Sequence, residues 1–340
     1  MTKLGTAGTT AGTGTEVMAD NAGMEGADGL EYRTLDVAGV RRGYWVARAA
    51  GGSGAPSAGG ERPSGGLRAG VLLVVLHGSG TSGKDVATMF SGLAGRGPAA
   101  GVSVVFPDGW RGLWQIARAP AGEPGLDDAA FLRDLVRHLG ATSVVLAGLS
   151  YGAGFAEHVA RHGLLRVAGL FLVTGTIREF SRQAEPVPRQ RTAVTIMAGT
   201  GDRMVNYYGG PLRAPGVVGW IMRRRAARHG DLPSERRVAP VEEVARDWAA
   251  GNGIGGDPAV ERLPDAPGDP PVTRLTWSAP GCPPVVLYRI EGGGHGWPGG
   301  PQFLPARVIG PVPRHLDATA ILLDMVASVA GDAAGPLTPA

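Results

Sequence analysis

Val144-Val145-Leu146-Ala147-Gly148-Leu149-Ser150-Tyr151-Gly152-Ala153-Gly154-Phe155-Ala156-Glu157-His158-Val159-Ala160 is the stretch whose reading decides the fold. Its opening run is apolar and begins with two β-branched residues, the pattern of a buried strand. Its closing residues read as a helix with small side chains on the first turn. Between them stands Gly148-x-Ser150-x-Gly152. A strand that turns sharply into a helix at such a pentapeptide is a nucleophile elbow. The glycines tolerate the strained turn and let the helix pack closely, so the serine hydroxyl stands clear of the sheet. The same pentapeptide also occurs in ordinary strand-to-helix turns. The flanking strand and helix favour the elbow here, and Ser150 is the expected nucleophile.

A serine hydroxyl attacks only when a histidine accepts its proton and an acid orients that histidine. Elbow folds supply these partners in the chain order serine, acid, histidine. Val194-Thr195-Ile196-Met197-Ala198 reads as a strand running into Gly199-Thr200-Gly201-Asp202, which places Asp202 at a strand's C-terminal edge. The alternative for Asp202 is an Asx-type turn, since Gly-Asp is common turn chemistry. Val285-Val286-Leu287-Tyr288-Arg289-Ile290 runs into Glu291-Gly292-Gly293-Gly294-His295-Gly296-Trp297-Pro298, a loop supple enough to bring His295 over the serine. His77 and Asp108 also follow strands, but upstream of Ser150. Asp108 reads as structural.

The strand Val71–Leu76 opens into His77-Gly78-Ser79-Gly80-Thr81-Ser82-Gly83. A glycine-rich loop there can turn backbone N–H groups towards a developing oxyanion. Ser79 and Tyr151, the residue after the nucleophile, are the expected donors. A phosphate-binding loop is the rival, but Gly83-Lys84 is followed by Asp85, where a Walker sequence needs Ser or Thr. A dinucleotide fingerprint lacks its acidic ribose partner at the expected distance.

These stretches resemble the polyhydroxybutyrate depolymerase and feruloyl esterase group of α/β-hydrolases. The resemblance extends to Phe106-Pro107-Asp108-Gly109, Leu113-Trp114, Asp127 to Leu132, Val241-Glu242-Glu243, Trp248, Asn252-Gly253 and Leu316-Asp317-Ala318. It spans about residues 67–329, and the His295 segment is its most specific part. It implies an α/β-hydrolase fold and a serine carboxylesterase acting on esters of hydroxyacids or phenolic acids. It also implies secretion, and a disulfide between a cysteine after the Asn-Gly and one before the last strand. Here Ile254 holds the first position and Cys282 the second. With 1 cysteine no internal disulfide can form, which favours a reducing, cytoplasmic location. Met1 to Gly29 has no apolar core behind a basic start, so it does not read as a signal peptide.

The 340 residues, 43% hydrophobic, suffice for one large α/β domain. The expected organisation is a disordered extension over 1–29, a hydrolase domain over 30–331 and a tail over 332–340. Strands alternating with helices predict a mostly parallel, doubly wound sheet with ligands at the strand C-termini. Helices are expected around Asp85–Leu93, Leu126–Leu139, Gly152–His162, Val241–Ala249 and after His315. Residues 211–240, apolar and then basic, stand where a lid would cover the acyl pocket, with Trp220 facing it. The alternative is a surface helix with Trp220 packed inwards. His77, Gly78, Trp110, Trp114 and Trp297 flank the site loops and are expected to face substrate, although loop aromatics also serve as core.

A net charge of +3 and the isolated Arg223-Arg224-Arg225 give no case for nucleic acid. No stretch has the length of a membrane span. No Cys/His spacing suits a metal, and no cofactor is expected. The expected partner is a small soluble acyl ester. Two other outcomes stay open: acyl transfer, thioester release or acyl elimination with the same triad, and a binding protein on the same fold.

Overall fold

A computed structural model describes residues 29–49, 70–115, 126–175, 187–211 and 237–333. Most of the extension, most of the lid segment with Trp220 and the arginine run, and all but the start of the C-terminal tail lie outside the described residues.

Among the described residues ten strands form one sheet. They are β1 (Leu30–Val37), β2 (Val40–Ala47), β3 (Val71–Leu76), β4 (Val104–Pro107), β5 (Ser143–Leu149), β6 (Gly169–Val173), β7 (Ala193–Gly199), β10 (Ala259–Arg262), β11 (Val272–Trp277) and β12 (Val285–Ile290). A separate two-residue pair, β8 (Gly210–Pro211) and β9 (Arg237–Val238), lies at the two ends of the lid segment. The sheet order is β1-β2-β4-β3-β5-β6-β7-β12-β11-β10. The six strands from β4 to β12 in that order are parallel, and antiparallel pairs extend both edges.

Strand periodicity divides the core into two layers. On β3, Leu72, Val74 and Leu76 face one layer while Val71, Leu73 and Val75 face the other, and all six are buried. The first layer receives the helices Asp128–His138, Tyr151–Arg161 and Val241–Gly251 through Phe131, Phe155 and Trp248. The second receives Leu93–Ala99 and Ala318–Ala333 through Leu93, Leu322 and Val326. A parallel strand buried on both faces reads as a continuous apolar run, which is why β3 and β5 were plain in the sequence.

Three points differ from the expectations. The helix expected over Asp85–Leu93 is instead a turn at Gly83–Asp85 and a π-helical turn at Val86–Phe90, then a separate helix Leu93–Ala99. Gly92, at a φ of +64°, breaks the path between them. Strands β10 and β11 were not expected. They add antiparallel to β12, and every residue of β10 is exposed. The closing helix runs to Ala333, past the expected end of the domain at 331. No helix among the described residues is long and apolar enough to cross a membrane.

Candidate active site

At the C-terminal end of β5 the chain reverses direction in a single residue. Ser150 has a φ of +55° and a ψ of −117°, and the helix Tyr151–Arg161 starts immediately after it. Its N–H donates to Val173 O (2.8 Å) and its carbonyl accepts from Gly154 N–H (3.1 Å), so β6 and the helix hold it from both sides. The flanking glycines are sterically required. A Cβ on Gly148 would lie 2.5 Å from backbone atoms of Gly152 and Ala153, and one on Gly152 would lie 2.4 Å from the His77 carbonyl oxygen.

The loops after β7 and β12 are stitched together before they deliver any side chain. Thr200 N–H donates to Ile290 O (2.9 Å) and Gly201 N–H to Gly293 O (2.9 Å). Asp202 follows directly. One of its carboxylate oxygens, Oδ1, accepts from Met204 N–H (2.7 Å) and Val205 N–H (2.9 Å). The other, Oδ2, lies 2.7 Å from His295 Nδ1. One oxygen thus closes an Asx-type turn while the other meets the histidine. His295 is anchored through its N–H to Ile309 O (2.6 Å), and its Nε2 lies 2.9 Å from Ser150 Oγ. A carboxylate can only accept, so Nδ1 carries the proton and Nε2 is left free to accept from the serine hydroxyl. Ser150, His295 and Asp202, distant in sequence, form one hydrogen-bonded chain, with His295 only 4% exposed.

The glycine-rich loop closes the other side. A Cβ on Gly78 would lie 3.6 Å from Ser150 Cβ, so this backbone runs alongside the serine. The loop is braced by Gly80 N–H to Gly112 O (2.8 Å) and by Thr81 Oγ1 to Gly78 O (2.9 Å). Ser79 sits on it, half-buried, and Tyr151 is the first residue of the helix that follows Ser150.

Other expected substrate-facing residues face inwards. His77 is fully buried: its Nδ1–H donates to Gly78 O (2.7 Å), and its Nε2 accepts from Gly109 N–H (2.9 Å). Burial holds it neutral, with a pKa lowered to about 4. It is a strut between two site loops. Trp114, 1% exposed, donates from Nε1 to His77 O (2.9 Å) and stacks on Phe155 at 5.3 Å. Trp297, equally buried, donates to Thr319 Oγ1 (2.9 Å). Indoles so enclosed, with their N–H groups satisfied inside, support the loops. Trp110 is half-buried, with the Arg111 guanidinium 5.8 Å from its ring centre.

The loop carrying Trp110 is held by groups with no local signature. Arg42 and Asp128, both buried, form an ion pair. Arg42 also donates to Asp108 O (3.3 Å), while Asp128 accepts from Gln115 N–H (2.6 Å). Burial pushes the Asp128 carboxyl up despite the guanidinium beside it, and burial likewise raises Asp108, which accepts from Gly83 N–H (2.7 Å).

A parallel sheet with an elbow serine after β5, an aspartate after β7 and a histidine after β12 keeps the serine, acid, histidine order. The acetyl xylan esterase from Aspergillus awamori has a similar structure, with a TM-score of 0.50 at 14% identity over 78% of this chain and 94% of that one. The chain has the α/β-hydrolase fold. In this fold the candidate site lies at the C-terminal ends of the central strands, with the Ser150 loop next to both partner loops. A ferulic acid esterase structure aligns over 60% of this chain and 86% of that one, at 14% identity and a TM-score of 0.36. In sequence, the chain is 28% identical to the putative esterase NocK of Nocardia uniformis subsp. tsuyamanensis, over 75% of this chain and 73% of that protein. No family model matches the chain.

Proposed function

We propose that this protein is a serine hydrolase of carboxylic esters, acting through Ser150, His295 and Asp202 on a small soluble acyl ester. The observation that carries the proposal is the continuous relay from Asp202 Oδ2 through the His295 ring to Ser150 Oγ, at 2.7 and 2.9 Å. In the acylation step Ser150 Oγ forms a bond to the acyl carbon as its proton passes to His295 Nε2. Asp202 accepts from Nδ1–H and stabilises the imidazolium. The tetrahedral oxyanion would meet the N–H groups of Ser79 and Tyr151. This is supported by the braced loop beside the serine and by the helix N-terminus behind it. Collapse breaks the carbon–oxygen bond to the alcohol, which leaves with the proton from Nε2. Water then repeats the sequence: His295 takes its proton, its oxygen bonds to the acyl carbon, and Ser150 Oγ departs with that proton as the carboxylic acid is released. The likeness to an acetyl xylan esterase and to a putative esterase supports ester cleavage.

The test is labelling with a fluorophosphonate, peptide mapping of the adduct, and turnover of short p-nitrophenyl esters by the wild type and Ser150→Ala. The adduct is expected on Ser150, and the variant should lose roughly 10^4-fold or more in kcat while remaining folded. Near-full activity in a folded Ser150→Ala protein would overturn the proposal.

A further inference from the structure

Four non-glycine residues have a positive φ among the described residues: Ala38, Arg111, Ser150 and Thr174. Ala38 lies with Gly39 in the tight turn joining β1 to β2, where positive φ is the norm. Arg111 sits in a three-residue turn. Ser150 is the elbow. Thr174, at a φ of +46°, directly follows β6, the strand paired alongside β5. Two strained turns thus stand side by side at the ends of neighbouring strands.

For a β-branched residue this conformation is a true outlier, because its Cβ substituents crowd the backbone. The turn itself has an evident use. Val173 O accepts the Ser150 N–H (2.8 Å), and Thr174 N–H reaches across to Met197 O on β7 (2.8 Å). The next residue then presses on the elbow: a Cβ on Gly175 would lie 2.0 Å from the Ser150 carbonyl oxygen. Residues 173–175 therefore form the wall against which the nucleophile rests, and they tie it to the strand that leads to Asp202.

A turn alone would be served more easily by glycine or asparagine. Threonine brings a hydroxyl, and Thr174 is 2% exposed with no hydrogen-bond partner for Oγ1 among the described residues. A buried, unsatisfied hydroxyl destabilises the folded protein. The residue is therefore unfavourable twice over in the resting enzyme, in its backbone and in its side chain, at a point in direct contact with the nucleophile's support.

We infer that Thr174 is a positioning residue of the esterase site: its turn holds Ser150 against the strand that leads to Asp202, and its hydroxyl makes its hydrogen bond in the transition state at Ser150 and not in the resting enzyme. The inference rests on the esterase assignment above. An interaction absent from the ground state and made along the reaction raises kcat without tightening substrate binding. The side chain serves turnover at the expense of stability.

Thr174→Val keeps the shape and removes the hydroxyl; Thr174→Ser keeps the hydroxyl. Both are compared with wild type by urea unfolding and by hydrolysis of p-nitrophenyl acetate and butyrate. Thr174→Val should be at least as stable as wild type, with kcat lower by roughly tenfold and KM within about twofold. Thr174→Ser should keep kcat within about threefold of wild type. Full kcat in Thr174→Val would overturn the inference. So would equal losses in both variants, or clear destabilisation of Thr174→Val, since each would make the hydroxyl irrelevant or merely structural. Fluorophosphonate labelling of the wild type separates the two levels. Without labelling and without ester turnover, the esterase assignment itself fails. With both present and Thr174→Val unaffected, only the role of Thr174 fails.

Discussion

Replacing Asp202 by asparagine tests the relay at one atom. The substituted amide can sit in either of two ways, and the structure decides between them. Oδ1 accepts two backbone N–H groups, from Met204 at 2.7 Å and Val205 at 2.9 Å. Placing the amide NH2 there would set donor against donor and strand two N–H groups, at about 1–3 kcal/mol each. The amide oxygen therefore takes the Oδ1 position, and the NH2 faces His295 Nδ1. That nitrogen must now accept, so the ring proton moves to Nε2. Nε2 then points a hydrogen at Ser150 Oγ, 2.9 Å away, and can no longer take the serine proton. The Asx-type turn survives, so the loop and the fold should be intact. The expected loss in kcat is roughly 10^3 to 10^4-fold, with KM little changed. The assay is steady-state hydrolysis of p-nitrophenyl acetate, with urea unfolding run in parallel. A folded Asp202→Asn protein that keeps kcat within about tenfold of wild type would refute the reasoning, since a misplaced tautomer cannot be that mild. Asp202→Ala gives the contrast. It also removes the acceptor for Met204 and Val205 and should lower stability, by about 1–3 kcal/mol.

The remaining predictions concern what supports the site. Burial lowers His77 and His158 to about 4 from an ordinary 6.5, so between those values the unfolded chain binds protons that the folded protein refuses. Their contribution is thus complete above pH 6.5 and lost as pH falls, by about 2 kcal/mol per histidine between pH 7 and 5. Urea unfolding at the two pH values measures it, and equal stability at both would contradict the assignment. Asp128→Asn leaves the buried Arg42 charge without its carboxylate and should lower unfolding free energy by about 3–5 kcal/mol; a loss well under 1 would show the pair to be solvated. Asn252, fully buried, accepts from Thr192 N–H (2.9 Å) and donates to Thr192 O (2.8 Å) and Pro283 O (2.7 Å), joining the approaches to β7 and β12. Asn252→Ala should destabilise by about 2–4 kcal/mol, read by urea unfolding, and a neutral effect would mean that water replaces all three bonds.

The site's main residues were legible in the sequence because each belongs to a local pattern. A strand running into glycines announces where a loop leaves the sheet, and parallel strands with helical crossovers bring all such ends to one edge. Ser150, Asp202 and His295 each follow a strand in this way, so their meeting follows from topology. The composition of a loop does not say which of its side chains turn inwards. Trp114, Trp297 and His77 flank the site in sequence, yet their polar atoms find partners on the His77 carbonyl, Thr319 and Gly109 respectively, and that drew them into the interior. Strand β11 alternates too loosely, and β10 is too exposed, to have been read without the partner strand beside them. The buried Arg42–Asp128 pair joins positions 86 residues apart, beyond the reach of any local pattern. Thr174 is the sharpest case. In sequence it is a threonine before a glycine at a strand end. Its positive φ, its sealed hydroxyl and its place against the elbow exist only once β5, β6 and β7 are paired. Local pattern sets which chain segments reach the sheet edge, and long-range packing sets which atoms there are satisfied, strained or exposed.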